Sequence, residues 1–188
     1  MPGAGADDGF LSSLDHIVAD AVAEEAARDR SRERVLRQIA EEEATFLGVA
    51  LDLAERGATV VARTSSGRIH RGQVLAVGRD FVVLRDSGGP PAFLAVASMS
   101  SLRPQPGSAS VDTAGGRAAP LDVGLAALLV GLATERPRVQ VSAVGDEPVA
   151  GELRSVGLDV LTLRLDGDAG LRAHVRLAAV SELLLLDL

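Results

Sequence analysis

The chain has 188 residues, a formal net charge of −7, a hydrophobic content of 47% and no cysteine. This composition is sufficient for a globular core and excludes disulfides and thiolate metal sites. The acidic balance argues against a protein that coats nucleic acid non-specifically, because such binding depends on many cations. The first residues do not resemble a signal peptide, and no apolar run reaches the roughly 20 residues that span a bilayer, so we expect a cytoplasmic protein without a membrane partner.

The N-terminal part of the chain is predicted to be a disordered tail over residues 1–9 and a charged helix over residues 10–42. Apolar residues recur every three or four positions on both sides of a polar stretch, AARDRSRERV. Either one long helix crosses solvent there, or two helices meet near Asp29–Ser31. The helix is either a solvated one held by its own ion pairs or one that mediates oligomerisation or docks a protein partner.

Residues 43–103 are predicted to form a short helix followed by a small antiparallel barrel. Gly57 marks the end of the helix. Short β-prone runs separated by turn residues follow at the intervals typical of such barrels. The predicted strands are Thr59–Thr64, Arg68–Leu75, Phe81–Arg85, Ala92–Ala97 and Met99–Leu102.

A linker rich in Gly, Pro, Ser and Ala is predicted over residues 104–120, and a second helix and barrel over residues 121–188. The helix covers Leu121–Arg136. The strands are Arg138–Ala143, Val149–Val156, Val160–Leu165, Arg172–Leu177 and Val180–Leu185. The predicted fold class is therefore α+β, with a long N-terminal helix followed by two tandem five-stranded small antiparallel barrels, each preceded by a helix.

The two strand series align as an internal repeat, in which GQVLAVGRDFVVL at residues 72–84 matches GELRSVGLDVLTL at residues 151–163. A glycine inside a strand pattern marks a sharp bend or a close approach of backbones. A Gly-x-Asp sequence is typical of a tight hairpin turn, in which the glycine has a positive φ. The predicted structural turn residues are Gly72, Gly78, Asp80, Gly151, Gly157 and Asp159.

A helix followed by five bent strands, with GQVLAVGRDFVVL across the second and third, resembles the Sm-like family, the LSm and Hfq type of small SH3-like β-barrel. The closing stretch Val175–Val180 is similar to that family's last strand pair. The resemblance covers both repeats and implies RNA as a partner. It also places Asp80 and Phe81 where the family binds RNA.

Charge is unevenly distributed between the two predicted barrels. Residues 59–104 contain six arginines against two aspartates, whereas residues 138–186 contain five arginines against seven acidic residues. We therefore expect a phosphate-facing patch on the first barrel. The alternative is an ordinary exposed face, or one that pairs with the acidic helix or the acidic second barrel. The candidate nucleic-acid-binding residues are Arg63, Arg68, His70, Arg71, Arg79 and Phe81.

No catalytic, metal or cofactor site is predicted, because the three histidines do not cluster and the serines lack a His and Asp context. The predicted function is that of a non-enzymatic tandem Sm-like adaptor or regulatory protein that binds RNA or single-stranded nucleic acid through the basic first barrel. The alternative is a purely structural protein–protein interaction module without nucleic acid. Such a module would assemble, for example as a homo-oligomer, through the N-terminal helix and the barrel edges.

Overall fold

The computed structural model describes residues 22, 24–36, 38–39, 42–86, 88–107, 121–167 and 170–187. Residues Met1–Thr45 form one compact unit and residues Phe46–Leu188 a second, and each unit is described by itself. The predicted tail at residues 1–9 and most of the predicted linker, residues 108–120, lie outside the described residues.

The first unit contains helix α1, whose described helical residues are 22, 24–36, 38–39 and 42. The helix is continuous through Asp29–Ser31, where the sequence left a break open. It ends instead at a turn at Glu43, which two non-helical residues follow. Ion pairs along the helix axis, such as Arg28 Nη2 to Glu24 Oε2 at 2.8 Å, stabilise this exposed segment.

The second unit opens with helix α2, Phe46–Glu55, whose buried residues Ala50 and Leu53 pack in the core of the sheet. Gly57 follows the helix with a φ of 60°, which confirms the predicted helix stop. A third helix, α3, covers Leu125–Ala133 and is shorter than predicted at both ends.

The described residues of the second unit also include ten strands, and six of them have the predicted bounds. The first half of this unit, residues 46–107, contains β1 (Thr59–Thr64), β2 (Ile69–Val77), β3 (Phe81–Arg85), β4 (Ala92–Ala95) and β5 (Met99–Pro104). The second half, residues 121–187, contains β6 (Arg138–Ala143), β7 (Val149–Val156), β8 (Val160–Leu165), β9 (Arg172–Arg176) and β10 (Val180–Leu185).

The prediction of a long N-terminal helix with two tandem barrels is wrong. Helices α1 and α2 are separate, and all ten strands form one antiparallel sheet that does not close, in the order β5-β1-β2-β3-β4-β10-β6-β7-β8-β9. The two halves meet at a central junction where β10 pairs with β4, with Glu182 opposite Leu94 and Leu183 opposite Phe93. Strands β5 and β9 lie at the two ends of the sheet.

Shared hydrophobic cores explain why the halves do not form independent barrels. Phe81, Val83 and Phe93 of the first half pack in the core of the second half, and Leu184 of β10 packs against the core of the first. Separating the two halves would expose these side chains and leave the edge of β4 that faces β10 without a partner. Apolar alternation predicts which face of a strand is buried, but it does not predict which other strand pairs with it.

The strands of the two halves follow the same order, and their turns carry matching backbone hydrogen bonds. Gly78 N donates to Phe81 O at 2.9 Å, and Gly157 N donates to Val160 O at 2.7 Å. Strand β1 lies between β5 and β2, and strand β6 lies between β10 and β7. Each strand of one half therefore has a definite counterpart in the other.

Candidate functional site

The outer face of the first half carries arginines on neighbouring strands. Arg71 of β2 lies opposite Val61 of β1, which in turn lies opposite Arg103 of β5. Directly opposed residues of an antiparallel pair share a face of the sheet. Arg63 lies on the same face because it follows Val61 by two residues.

A fourth arginine joins this face from β3. Arg85 lies opposite Gln73 of β2, which follows Arg71 by two residues and therefore shares its face. We call this set the arginine face: Arg63, Arg71, Arg85 and Arg103. All four residues are exposed, and within the described part of the chain none of them forms an ion pair with an acidic side chain.

A cavity of about 330 Å³ borders the arginine face. Thr59, Gly72, Gln73, Leu75, Arg85 and Asp86 line it. The cavity therefore brings together one guanidinium, one side-chain amide and the carboxylate of Asp86, so its charge is mixed.

The counterpart face of the second half is neutralised by a carboxylate. Glu152 of β7 lies opposite Arg164 and forms ion pairs with Arg164 and with Arg154, whose Nη1 lies 2.6 Å from Glu152 Oε1. The hydrogen bond from Arg154 is the main cause that lowers the pKa of Glu152 below its ordinary value, against a smaller opposing effect of burial. The first half has Gln73 at this position, so Arg85 lacks the carboxylate that Arg164 has.

A buried cluster joins the two halves at the central junction. Glu182 of β10 is fully buried, and its Oε1 lies 2.8 Å from Nε of Arg68. Its Oε2 lies 2.5 Å from Nε2 of His70. Ser142 Oγ donates to Glu182 Oε1 at 2.9 Å and accepts from Arg68 Nη1 at 3.0 Å. We call these four residues the Glu182 cluster.

Glu182 is held in its charged form by this cluster. Burial is the largest single effect and on its own raises the pKa of the carboxyl group. The hydrogen bond and charge of His70, the hydrogen bond of Ser142 and the charge of Arg68 together outweigh it, so the pKa lies below the ordinary value of 4.5. The cluster therefore joins the guanidinium of Arg68 and the ring of His70, both of the first half, to one carboxylate of the second.

The six candidate nucleic-acid-binding residues lie in different places. Arg63 and Arg71 belong to the arginine face, whereas Arg68 and His70 contact Glu182. Arg79 Nε lies 3.7 Å from Asp122 Oδ1. Phe81 is fully buried, with its ring centroid 6.5 Å from that of Phe93, so in this structure it is not available to stack on a base.

Two of the predicted turn glycines lie where backbones approach closely. Gly72 has a φ of 154°, and a Cβ there would collide with the carbonyl oxygen of Arg85. A Cβ at Gly151 would collide with the carbonyl oxygen of Arg164 in the same way. The pairing of β2 with β3 and that of β7 with β8 each shift register a few residues after the glycine, as happens at a β-bulge.

Gly78 and Gly157 do not have the positive φ that the sequence predicted. At Gly78 the reason for glycine is space, because a Cβ would collide with the ring of Phe81. At Gly157 a Cβ would lie 3.2 Å from Cγ1 of Val160, which is a tight but milder contact.

The two turn aspartates differ in what they contact. Asp80 Oδ1 accepts a hydrogen bond from the backbone N–H of Leu125 at 2.7 Å, so a residue of the first half caps helix α3 of the second. Asp159, its counterpart, is exposed.

Sequence reasoning missed Arg85, Arg103, Glu182 and Ser142. The alternation of side chains along β3 and β5 carried the signal for the two arginines, because it places them outward. The signal for Glu182 was a carboxylate inside the apolar run of β10, where a buried charge requires cationic partners.

No family model and no curated protein matches the chain. Among the residues that the structure describes, no group of three or more His, Cys, Asp or Glu side chains could hold a metal ion. None of the described helices combines the length and hydropathy needed to cross a membrane.

Proposed function

We propose that the protein is a non-enzymatic adaptor that binds single-stranded nucleic acid through the arginine face. The supporting observation is that four exposed arginines share one sheet face without an ion-pair partner in the described chain, although the whole protein has a net charge of −7. Arginine binds phosphate oxygens with two parallel hydrogen bonds, so such a face suits a phosphate backbone.

The contacts in this proposal are to phosphates rather than to bases. Phe81 is buried and the chain has no tryptophan or tyrosine, so the ring that the sequence predicted as a base contact is not exposed for stacking. Binding of this kind is tolerant of sequence and weakens steeply as salt rises. The resemblance of residues 72–84 to Sm-like proteins makes RNA the first nucleic acid to test.

The test is a titration of labelled single-stranded RNA and DNA of about 20 nucleotides, followed by fluorescence anisotropy at two salt concentrations. We expect binding at about 50 mM salt that falls steeply towards about 200 mM. Replacing Arg71→Ala together with Arg85→Ala lowers the affinity about tenfold and reduces the slope of log affinity against log salt by about 1.4, since each single-strand phosphate contact contributes about 0.7.

The matched control is Arg164→Ala. Arg164 is the counterpart of Arg85 in the second half and already pairs with Glu152, so its loss leaves the affinity unchanged. The proposal is abandoned if neither nucleic acid binds at low salt, or if the double variant binds as the wild type does.

We also propose that helix α1 docks a protein partner. Val35, Leu36 and Ile39 follow one another at helical spacing, and their exposed fractions are 54%, 67% and 46%. Light scattering of the full chain and of a Leu36→Ser, Ile39→Ser variant tests whether the partner is a second copy. If the full chain and the variant have the same molar mass at every concentration, helix α1 does not mediate self-association.

A further inference from the structure

The exposed apolar side chains of helix α1 lie along one stripe of the helix. Leu36 and Ile39 are one turn apart, and Val22 lies two heptads before Leu36 on the same side. All three side chains are exposed, Val22 by 60%. We infer that this stripe pairs with the same stripe of a second copy of the chain, with the two helices antiparallel. The inference rests on the proposal that α1 docks a protein partner, and it specifies that partner.

The stripe follows the seven-residue repeat of a coiled coil, whose a and d positions face the other helix. The a positions are Val22, Asp29 and Leu36, and the d positions are Glu25, Arg32 and Ile39. We call these six residues the α1 seam. The seam carries its apolar residues towards the two ends and charged residues between them, so charge decides which way a second helix lies along it.

The charged residues of the seam favour the antiparallel orientation. In a parallel pair each seam position meets its own copy, so the Asp29 carboxylates would face each other, as would the Arg32 guanidiniums, and like charges that face each other are unfavourable. In an antiparallel pair each a position meets a d position instead. Asp29 of one copy then lies opposite Arg32 of the other, and the twofold axis of the dimer repeats this pair.

Both groups of this central pair are available to a second copy. Within one helix, Arg32 Nη1 lies 3.8 Å from Asp29 Oδ1, which is near the outer limit of an ion pair. The side chains of Arg32 and Asp29 are 78% and 68% exposed. A second helix therefore gives each charge an additional partner of opposite sign.

The same register brings the apolar ends of the seam together. When Asp29 lies opposite Arg32, Val22 lies opposite Ile39 of the second copy, because both pairs are centred between residues 30 and 31. The twofold axis places Ile39 opposite Val22 at the other end. Each end of the paired segment therefore buries an apolar contact that is exposed in the single chain.

Two features make this association weak. Leu36 lies opposite Glu25 of the second copy, so this position buries less apolar surface than a pair of leucines would. The two Asp29–Arg32 pairs fix the register but add little net free energy, because charges lose their hydration when they pair. We therefore expect a dimer in equilibrium with the monomer.

Disulfide trapping tests the orientation, because the chain has no cysteine of its own. A Val22→Cys variant and an Ile39→Cys variant are oxidised gently, each alone and as a mixture. In the antiparallel pair these two positions face each other, whereas position 22 of one copy lies about 25 Å along the axis from position 22 of the other. We expect a crosslinked dimer from the mixture and little from either variant alone.

The matched control is a mixture of an Ala27→Cys variant and an Arg34→Cys variant. These two positions come level with each other in the same antiparallel register, but they lie on the side of the helix away from the seam. We expect little crosslinking from this mixture. Crosslinking equal to that of the seam pair would show random collisions and would overturn the inference.

Charge exchange supplies the second measurement, by light scattering of the full chain over a range of concentrations. Asp29→Arg alone and Arg32→Asp alone each weaken association about tenfold, because like charges then face each other twice in the dimer. The double variant restores association to within about twofold of the wild type. Arg34→Asp, on the outer side of the helix, leaves it unchanged. Circular dichroism confirms that each variant keeps its helix.

The outcomes separate this inference from the proposals on which it builds. A chain that is monomeric at all concentrations overturns it, and so does association that is the same in the wild type and in both single charge variants. Val22→Cys and Ile39→Cys variants that each crosslink to themselves would also overturn it, although α1 would then still dock a second copy, in parallel. Nucleic-acid binding is measured at concentrations where the wild type is monomeric, so a failure of that proposal is a separate result.

Discussion

The two halves of the sheet share their strand order and their turns, but they differ in whether the arginines of the outer face are paired with a carboxylate. In the second half Glu152 holds Arg154 and Arg164 on the outer face, whereas in the first half Gln73 leaves Arg85 without a carboxylate. The residues that bend the backbone are the same in both halves, and the residues that face solvent are not. The fold therefore constrains the glycines and the apolar rows, while the outer faces remain free to take different roles.

The same contrast appears at the edges of the halves. Glu182 of β10 is buried against Arg68 and His70, while Ser101, its counterpart on β5, lies exposed at the end of the sheet. A carboxylate is tolerated in the interior only because the first half supplies Arg68 and His70. The charge thus makes the junction specific for these two halves.

The largest expected effect comes from breaking this buried contact. Glu182→Gln keeps the shape of the side chain but removes its charge, and we expect the free energy of unfolding to fall by about 2–3 kcal/mol. This loss is smaller than the roughly 3–5 kcal/mol for breaking a fully buried ion pair, because Arg68 is partly exposed and remains solvated. Urea denaturation followed by circular dichroism measures the change. Glu152→Gln is the control, because that carboxylate lies near the surface, and it should leave the stability close to that of the wild type.

The difference in stability between the wild type and Glu182→Gln is expected to depend on pH. The pKa of Glu182 is lowered in the folded state, so its contribution is present above the ordinary value of 4.5 and is lost as the pH falls through the lower folded value. The stability difference between wild type and Glu182→Gln should therefore shrink as denaturation is repeated at successively lower pH. A difference that grows in acid would contradict the assignment.

An intermediate effect is expected from the turn glycines. Gly78→Ala forces a methyl group against the buried ring of Phe81, and overpacking of this kind costs about 1–3 kcal/mol. Gly157→Ala meets only the half-exposed side chain of Val160 and should cost less than about 1 kcal/mol. Thermal unfolding of the two variants side by side gives the comparison. Equal losses would show that the turn backbone, and not the Phe81 ring, requires glycine.

The smallest expected effect on stability comes from copying the second half into the first. Gln73→Glu places a carboxylate opposite Arg85, as Glu152 lies opposite Arg164. Such surface changes alter stability by no more than about 0.5 kcal/mol. If the arginine face binds nucleic acid as proposed, Gln73→Glu lowers the affinity about threefold at low salt, because Arg85 is then paired with a carboxylate. Affinity equal to that of the wild type would mean that Arg85 does not contact the ligand.

Local pattern was sufficient to predict the strands but not their assembly. Phe81–Arg85 and Val180–Leu185 have the predicted bounds because alternation and turn residues are encoded within a few positions. The pairing of β4 with β10 brings together Leu94 and Glu182, which are far apart in sequence, and no local signal marks such partners. The prediction of separate barrels failed at this point.

The candidate site was predictable to a similar extent. Local charge marked the first half as basic, and strand alternation would have separated the exposed Arg63 and Arg71 from the cluster residue Arg68. What the sequence did not reveal was the distant carboxylate. Glu182 binds Arg68 and His70, and this long-range contact holds both side chains at the central junction.

The central pairing also sets the order of events during synthesis. Strand β4 cannot find β10 until about 90 further residues have been made, an interval on the order of ten seconds at about 5–20 residues per second. During that time the nascent chain carries an open strand edge beside the unburied ring of Phe93. Until β10 is made, the first half therefore exposes a strand edge that β10 covers in the folded sheet.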